Sequence, residues 1–148
     1  MKQLPINKDQ YQVYVLSSRT RKPVHFAVHT WIVTVSNGKI DRWEILHQKS
    51  EDNTTGYFYR NAHPPVQGLK KGFFTNWDSN LIGSVSGDQY SLAKRILDYI
   101  ENRTPTYPHQ NKYSIYPGPN SNTYVAWILK EFPTSGIKLP WNAFGKNY

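Results

Sequence analysis

The chain contains no cysteine. That excludes a disulfide framework, thiolate zinc centres, iron–sulfur clusters and a thiol nucleophile. It leaves the redox compartment open, because a chain without thiols tolerates either. Long apolar runs are missing too, and none approaches the ~18 residues of a membrane helix. Met1 to Gln10 has no apolar stretch of the kind a secretory signal needs, so the chain as written reads as cytoplasmic. Acidic residues are few: 10 Asp and Glu stand against 18 Lys and Arg, a formal net charge of +8. The basic residues are nonetheless scattered. Their tightest groupings are Arg19, Arg21 and Lys22, and the pair Lys70–Lys71, short of the runs that mark nucleic-acid patches. Zinc-finger spacing and an RRM signature are absent, so the expectation is against nucleic acid. Interleaved basic and aromatic residues keep that partner as a rival. His25 and His29 sit four apart on a strand, about 13 Å from one another. No other His spacing suggests a metal, and no cofactor is expected.

What the chain does have is length and aromatics. Its 148 residues suit one domain spanning 1–148, and 15% aromatic residues argue against disorder. Strand signals come first. Gln12 to Leu16 reads as a short strand, and Val24 to Val35 as the strongest one. Asn37-Gly38 is the preferred type I′ hairpin turn, which makes Lys39 to His47 the partner strand. Tyr57 to Arg60 adds a short strand, and residues 61–80 read as loops. Helical signals follow. Ser86 to Gln89 has capping-box spacing, ahead of Leu92, Ile96, Tyr99 and Ile100 at helical period, ending near Asn102. Tyr113 to Tyr116 reads as a strand. Asn120-Ser121-Asn122 offers N-caps for an apolar, buried helix over Thr123 to Phe132, stopped by Pro133. The tail from Leu139 should be an ordered strap that buries Trp141 and Phe144. The order implies an α+β fold, an antiparallel sheet with the buried C-terminal helix packed on it.

A two-residue hairpin loop fixes the strand register. Ser36 faces Lys39, Val35 faces Ile40, and Trp31 faces Glu44. One face carries Phe26, Val28, Thr30 and Ile32 with Trp43 and Ile45, which reads as core. The other carries His25, His29 and Trp31 with Arg42 and Glu44. His47 falls on the core face, and His63 and His109 lie in loops. His29 and Glu44 are diagonal neighbours, close enough for their side chains to meet. A carboxylate beside an imidazole fixes its tautomer and stabilises the imidazolium, the base-plus-orienter half of a triad. The competing reading is a structural polar pair, or an Arg42–Glu44 contact that leaves His29 out. A nucleophile would sit well at a helix start, where backbone N–H groups stabilise developing negative charge. Ser121 is the candidate, although Ser, Asn and Thr are also what any N-cap requires.

The stretch from Tyr116 to Trp127, YPGPNSNTYVAW, resembles the hallmark of a bacterial family known as domain of unknown function 3750. Phe26 to Val33, Arg42-Trp43-Glu44 and the tail from Leu139-Pro140 to Gly145-Lys146-Asn147-Tyr148 are similar to its pattern. More distantly, the chain resembles circularly permuted papain-like folds of the NlpC/P60 kind. In those a strand histidine comes first, a polar residue on the next strand second, and a cysteine at the start of a buried helix last. Here the order is His29, Glu44, Ser121, with serine where that cysteine would stand. The resemblance implies a hydrolase cleaving an acyl or amide bond in a peptide, lipid, protein or cell-wall substrate. Ser121 would attack, His29 would take its proton, and Glu44 would orient His29. Asn120, Asn122 and Trp31 are the expected oxyanion or ligand contacts. The alternative is a catalytically inactive NlpC/P60-like module that uses the same groove to bind a peptide, cell-wall or anionic ligand; a small-molecule substrate also remains among the expected partners.

Overall fold

The sheet grows outward from the hairpin that the Asn37-Gly38 turn dictates. Both turn residues take positive φ, 51° and 77°, as a type I′ turn requires. Strands β2 (Val28–Ser36) and β3 (Lys39–Ile45) pair in the register expected, Ser36 with Lys39 and Val35 with Ile40. Strand β1 (Tyr11–Arg19) pairs antiparallel on the other side of β2. A short β4 (Phe58–Arg60) closes one edge against β3, and β5 (Asn80–Gly87) closes the other against β1. The five-stranded antiparallel sheet therefore runs β4-β3-β2-β1-β5. The computed structural model describes residues 1–148.

Helix α1 (Leu92–Arg103) packs on β1 and β5, and α2 (Ser121–Glu131) on β2 and β3. Together they cover one face of the sheet. The core between them holds Val13, Val15, Ile32, Trp43 and Ile45 from the strands and Ile96, Ile100, Tyr124, Val125 and Ile128 from the helices. The architecture is α+β, as the element order implied. The opposite face is not open to water. Leu4 from the N-terminal segment, together with Val66, packs onto Tyr14, Leu16, Trp31, Val33 and Val35. Burial on both faces explains why Trp31, Ile32 and Val33 follow one another as apolar residues in β2.

Several expectations need correction. The strand predicted from Val24 begins at Val28, because Thr20 clasps the preceding turn. The Thr20 amide donates to the Ala27 carbonyl at 3.1 Å, and its hydroxyl to the Val24 carbonyl. Ser86 belongs to β5 rather than to a capping box. The α1 N-cap is Ser91, whose hydroxyl accepts from the Lys94 amide at 3.2 Å. Tyr113 to Tyr116 is not a strand: the Ser114 and Ile115 carbonyls accept from the Asn120 side chain instead of a neighbouring chain. Trp141 remains 76% exposed. The tail is held by other contacts, since the Asn142 side chain donates to the Phe26 carbonyl and the Val28 amide donates to the Asn142 carbonyl.

Candidate active site

Asn120 and Asn122 build the start of α2, and each spends its whole side chain doing so. Asn120 Oδ1 accepts from the Asn122 and Thr123 amides, while Thr123 Oγ1 takes the Asn120 amide in return, a capping box with Thr as the reciprocal partner. Asn120 Nδ2 donates to Ser114 and Ile115 carbonyls. The tail closes over this cap at Gly145. A Cβ there would lie 2.5 Å from the Asn120 amide group, and φ is +96°, so only glycine fits. Asn122 Oδ1 accepts from Thr30 Oγ1 at 2.8 Å, and its Nδ2 donates to the Val28 and Phe144 carbonyls, each at 2.9 Å.

These bonds fix the geometry. Asn122 grips Val28 and Thr30, the two residues that flank His29 in β2. Ser121 precedes Asn122 in the chain. The first turn of α2 is therefore pinned across the strand position that carries His29. Ser121 and His29 line one cavity of about 660 Å³, together with Phe26, Val28, Ile115, Tyr116 and Phe144. No hydrogen bond joins the two, but each presents a free atom. Ser121 Oγ and His29 Nδ1 have no partner in the protein, and neither is sealed from solvent. The Ser121 amide likewise finds no acceptor.

The other imidazole nitrogen is committed. His29 Nε2 lies 2.9 Å from Glu44 Oε2, confirming that the diagonal pair meets. Glu44 is fully buried, and it is not shared with His29 alone. Arg42 Nη2 donates to the same oxygen at 2.8 Å, and His63 Nδ1 lies 3.0 Å from Oε1. Burial alone would raise the Glu44 pKa. Hydrogen bonds from His29 and His63, with the charges of His29 and Arg42, outweigh it and hold the carboxyl well below the usual range. An ionised carboxylate only accepts, so His29 donates to it through Nε2–H, and in the neutral ring Nδ1 is the nitrogen with the lone pair.

Arg42 decides how rigid this arrangement is. Its guanidinium is buried, which lowers its pKa, while Glu44 opposes that shift. Nη1 donates to the Pro64 and Gln67 carbonyls at 2.8 and 2.6 Å, and the group lies 4.1 Å from the Trp31 ring centroid. Glu44 is consequently held in one position beside His29. It is a weaker stabiliser of imidazolium than a lone carboxylate, because Arg42 already balances its charge. The cluster is not a metal-ligand group, since the oxygen facing His29 is shared with a guanidinium.

Of the residues singled out from sequence, Ser121, His29, Asn120 and Asn122 line the cavity, and Glu44 stands directly behind His29. The oxyanion role expected of the Asn120 and Asn122 side chains is not open to them. Their donors are all engaged, which leaves the Ser121 amide. Trp31 is no ligand contact either. It is fully buried between His29, stacked at 5.7 Å, and Arg42, and its indole N–H donates to the Pro65 carbonyl. His47, placed on the core face, is exposed past the end of β3 and lines the cavity. The residue missed was His63. Its loop position carried no periodicity, and only the fold brings it to Glu44.

Residues 10–148 match a family model described as "Protein of unknown function (DUF3750)". No curated protein and no solved structure matches the chain.

Proposed function

The chain belongs to the DUF3750 family, and we propose that it is an acyl or amide hydrolase using Ser121, His29 and Glu44 on a permuted papain-like arrangement. The observation that carries this reading is that Ser121 and His29 line one cavity and each keeps an unbonded side-chain atom. His29 has its Nε2–H on a buried carboxylate and its Nδ1 unpartnered, and Ser121 has a free hydroxyl at the start of α2.

In the proposed reaction the Ser121 hydroxyl passes its proton to His29 Nδ1 as Oγ bonds to the substrate carbonyl carbon. Glu44 holds the resulting imidazolium through Nε2–H. The oxyanion forms beside the unpaired Ser121 amide at the positive end of α2. His29 then returns the proton to the leaving group as the acyl bond breaks. Water activated by the same nitrogen releases the acyl group from Ser121. Ser121 and His29 are not bonded to one another, so the proton path is established only once a substrate sets the serine rotamer. The apolar walls from Phe26, Ile115, Tyr116 and Phe144 suit a substrate with an apolar acyl or side-chain group.

Turnover of 4-nitrophenyl esters of graded chain length tests this. Ser121→Ala and His29→Ala should each remove the enzymatic rate, and Ser121→Ala should leave the melting curve in place. A rate that persists in Ser121→Ala, or no rate with any ester and any amide analogue, refutes the hydrolase. The second outcome would leave the cavity as a binding groove.

A further inference from the structure

The two basic groupings of the sequence, Arg19-Arg21-Lys22 and Lys70-Lys71, are distant in the chain and adjacent in the fold. Trp77 joins them. The Arg19 guanidinium lies 5.4 Å from its ring centroid and Lys71 Nζ lies 4.8 Å from it, while the indole N–H donates to the Thr20 carbonyl. Between Leu69 and Trp77 the chain makes a tight excursion. Lys70 bridges Asn76, the Lys71 and Gly72 amides both donate to the Thr75 carbonyl, and the Trp77 amide donates to the Leu69 carbonyl. Gly68 anchors its base, where a Cβ would meet the Trp77 carbonyl oxygen at 2.1 Å. The loop is thus a built structure, not a slack connection.

At its tip stand Phe73 and Phe74, 91% and 101% exposed, touching one another at 6.4 Å between ring centroids. Two adjacent phenylalanines wholly in water give up all the free energy that burial would supply. Nothing in the fold requires them there. Leu69, at the base of the loop, and Thr20, Arg21 and Lys22, on the basic turn, line the cavity of Ser121 and His29. Phe26 and Tyr116, 60% and 75% exposed, line it as well.

We infer that this surface docks on an anionic lipid bilayer, with Phe73 and Phe74 entering the headgroup–acyl boundary and Lys70, Lys71, Arg19, Arg21 and Lys22 held at the charged headgroups. An apolar tip with a basic collar matches the order of layers in such a bilayer. Single-stranded nucleic acid fits less well, because bases stack along basic grooves rather than on a projecting tip. Docking does not depend on the hydrolase reading. The same cavity-lining residues connect the two, so a docked chain holds its cavity beside the lipid.

Co-sedimentation with vesicles of phosphatidylcholine containing phosphatidylglycerol tests the inference. The chain should bind these vesicles, bind pure phosphatidylcholine far less, and release as salt rises. The double change Phe73→Ala/Phe74→Ala should weaken binding by at least about tenfold, following the apolar area it removes. It should leave the melting temperature unchanged, since the two rings touch nothing else. Lys70→Glu/Lys71→Glu should weaken binding comparably, and Ser121→Ala should bind as the unaltered chain does. No binding to the anionic vesicles overturns the inference, as does binding indifferent to the phenylalanine pair. So does a phenylalanine-dependent self-association, or phenylalanine-dependent binding of single-stranded DNA, in a chain that ignores vesicles.

Discussion

Removing the Glu44 carboxylate is the sharpest perturbation of this molecule. Glu44 is fully buried and accepts from Arg42, His29 and His63. Glu44→Ala leaves the Arg42 guanidinium buried with its Nη1 bonds to Pro64 and Gln67 but without a counter-charge. Breaking a buried pair in this way costs about 3–5 kcal/mol, a large share of the roughly 5–15 kcal/mol that stabilises a domain. Replacing both partners, as Arg42→Met/Glu44→Leu, should cost less than Glu44→Ala alone, because no orphaned charge remains. The pH dependence follows from the depressed Glu44 pKa. A carboxylate held below its unfolded value, about 4.3, contributes stability that is fully present above that pH and is lost as pH falls toward the folded value. Denaturant unfolding of the unaltered chain and Glu44→Gln, followed by tryptophan fluorescence at pH 7 and pH 3, measures both effects. The unaltered chain should lose more stability on acidification than Glu44→Gln does. A Glu44→Ala variant within about 1 kcal/mol of the unaltered chain, together with equal acid slopes, would refute the reasoning.

Asn122→Ala removes three hydrogen bonds, one of them fully buried, and leaves Thr30 Oγ1 and two carbonyls to find water. It should cost about 2–4 kcal/mol in chemical denaturation and free the tail, read as faster hydrogen exchange at Val28 and Ala143. Asn120→Ala removes the α2 cap and should cost about 1–2 kcal/mol in the same assay. Asn120→Asp, which keeps the cap oxygen but not the donors to Ser114 and Ile115, should fall between the unaltered chain and Asn120→Ala. Gly145→Ala forces a Cβ against Asn120 at positive φ, so its melting temperature should drop by several degrees.

How much of this was legible beforehand depended on how local each determinant was. The Asn37-Gly38 turn fixed the β2–β3 register, and that register brought His29 to Glu44 without any knowledge of the rest. The helix at Ser121 announced itself by its caps. Strand β5, with Gly83, Ser84 and Ser86 among its residues, has little strand character of its own. Its order comes from pairing with β1. The cover of the second sheet face, Leu4 and the loop carrying Pro64, Val66 and Gln67, was not foreseen because it has no periodic pattern. That same cover turned Arg42 and Trp31 from surface groups into a buried brace and brought in His63. Asn120 and Asn122 were read as ligand contacts because amides at a helix start suit an oxyanion. Their engagement with backbone carbonyls on the loop, the strand and the tail could be seen only in three dimensions.

The proposed role of Ser121 is most directly tested by covalent labelling of the folded chain with a serine-directed fluorophosphonate, read by intact mass and peptide mapping. A single adduct on Ser121 should form. Labelling should vanish in Ser121→Ala and slow by about 100-fold or more in His29→Ala, the scale of a general-base contribution. An unlabelled Ser121, or labelling at an unchanged rate without His29, would contradict it.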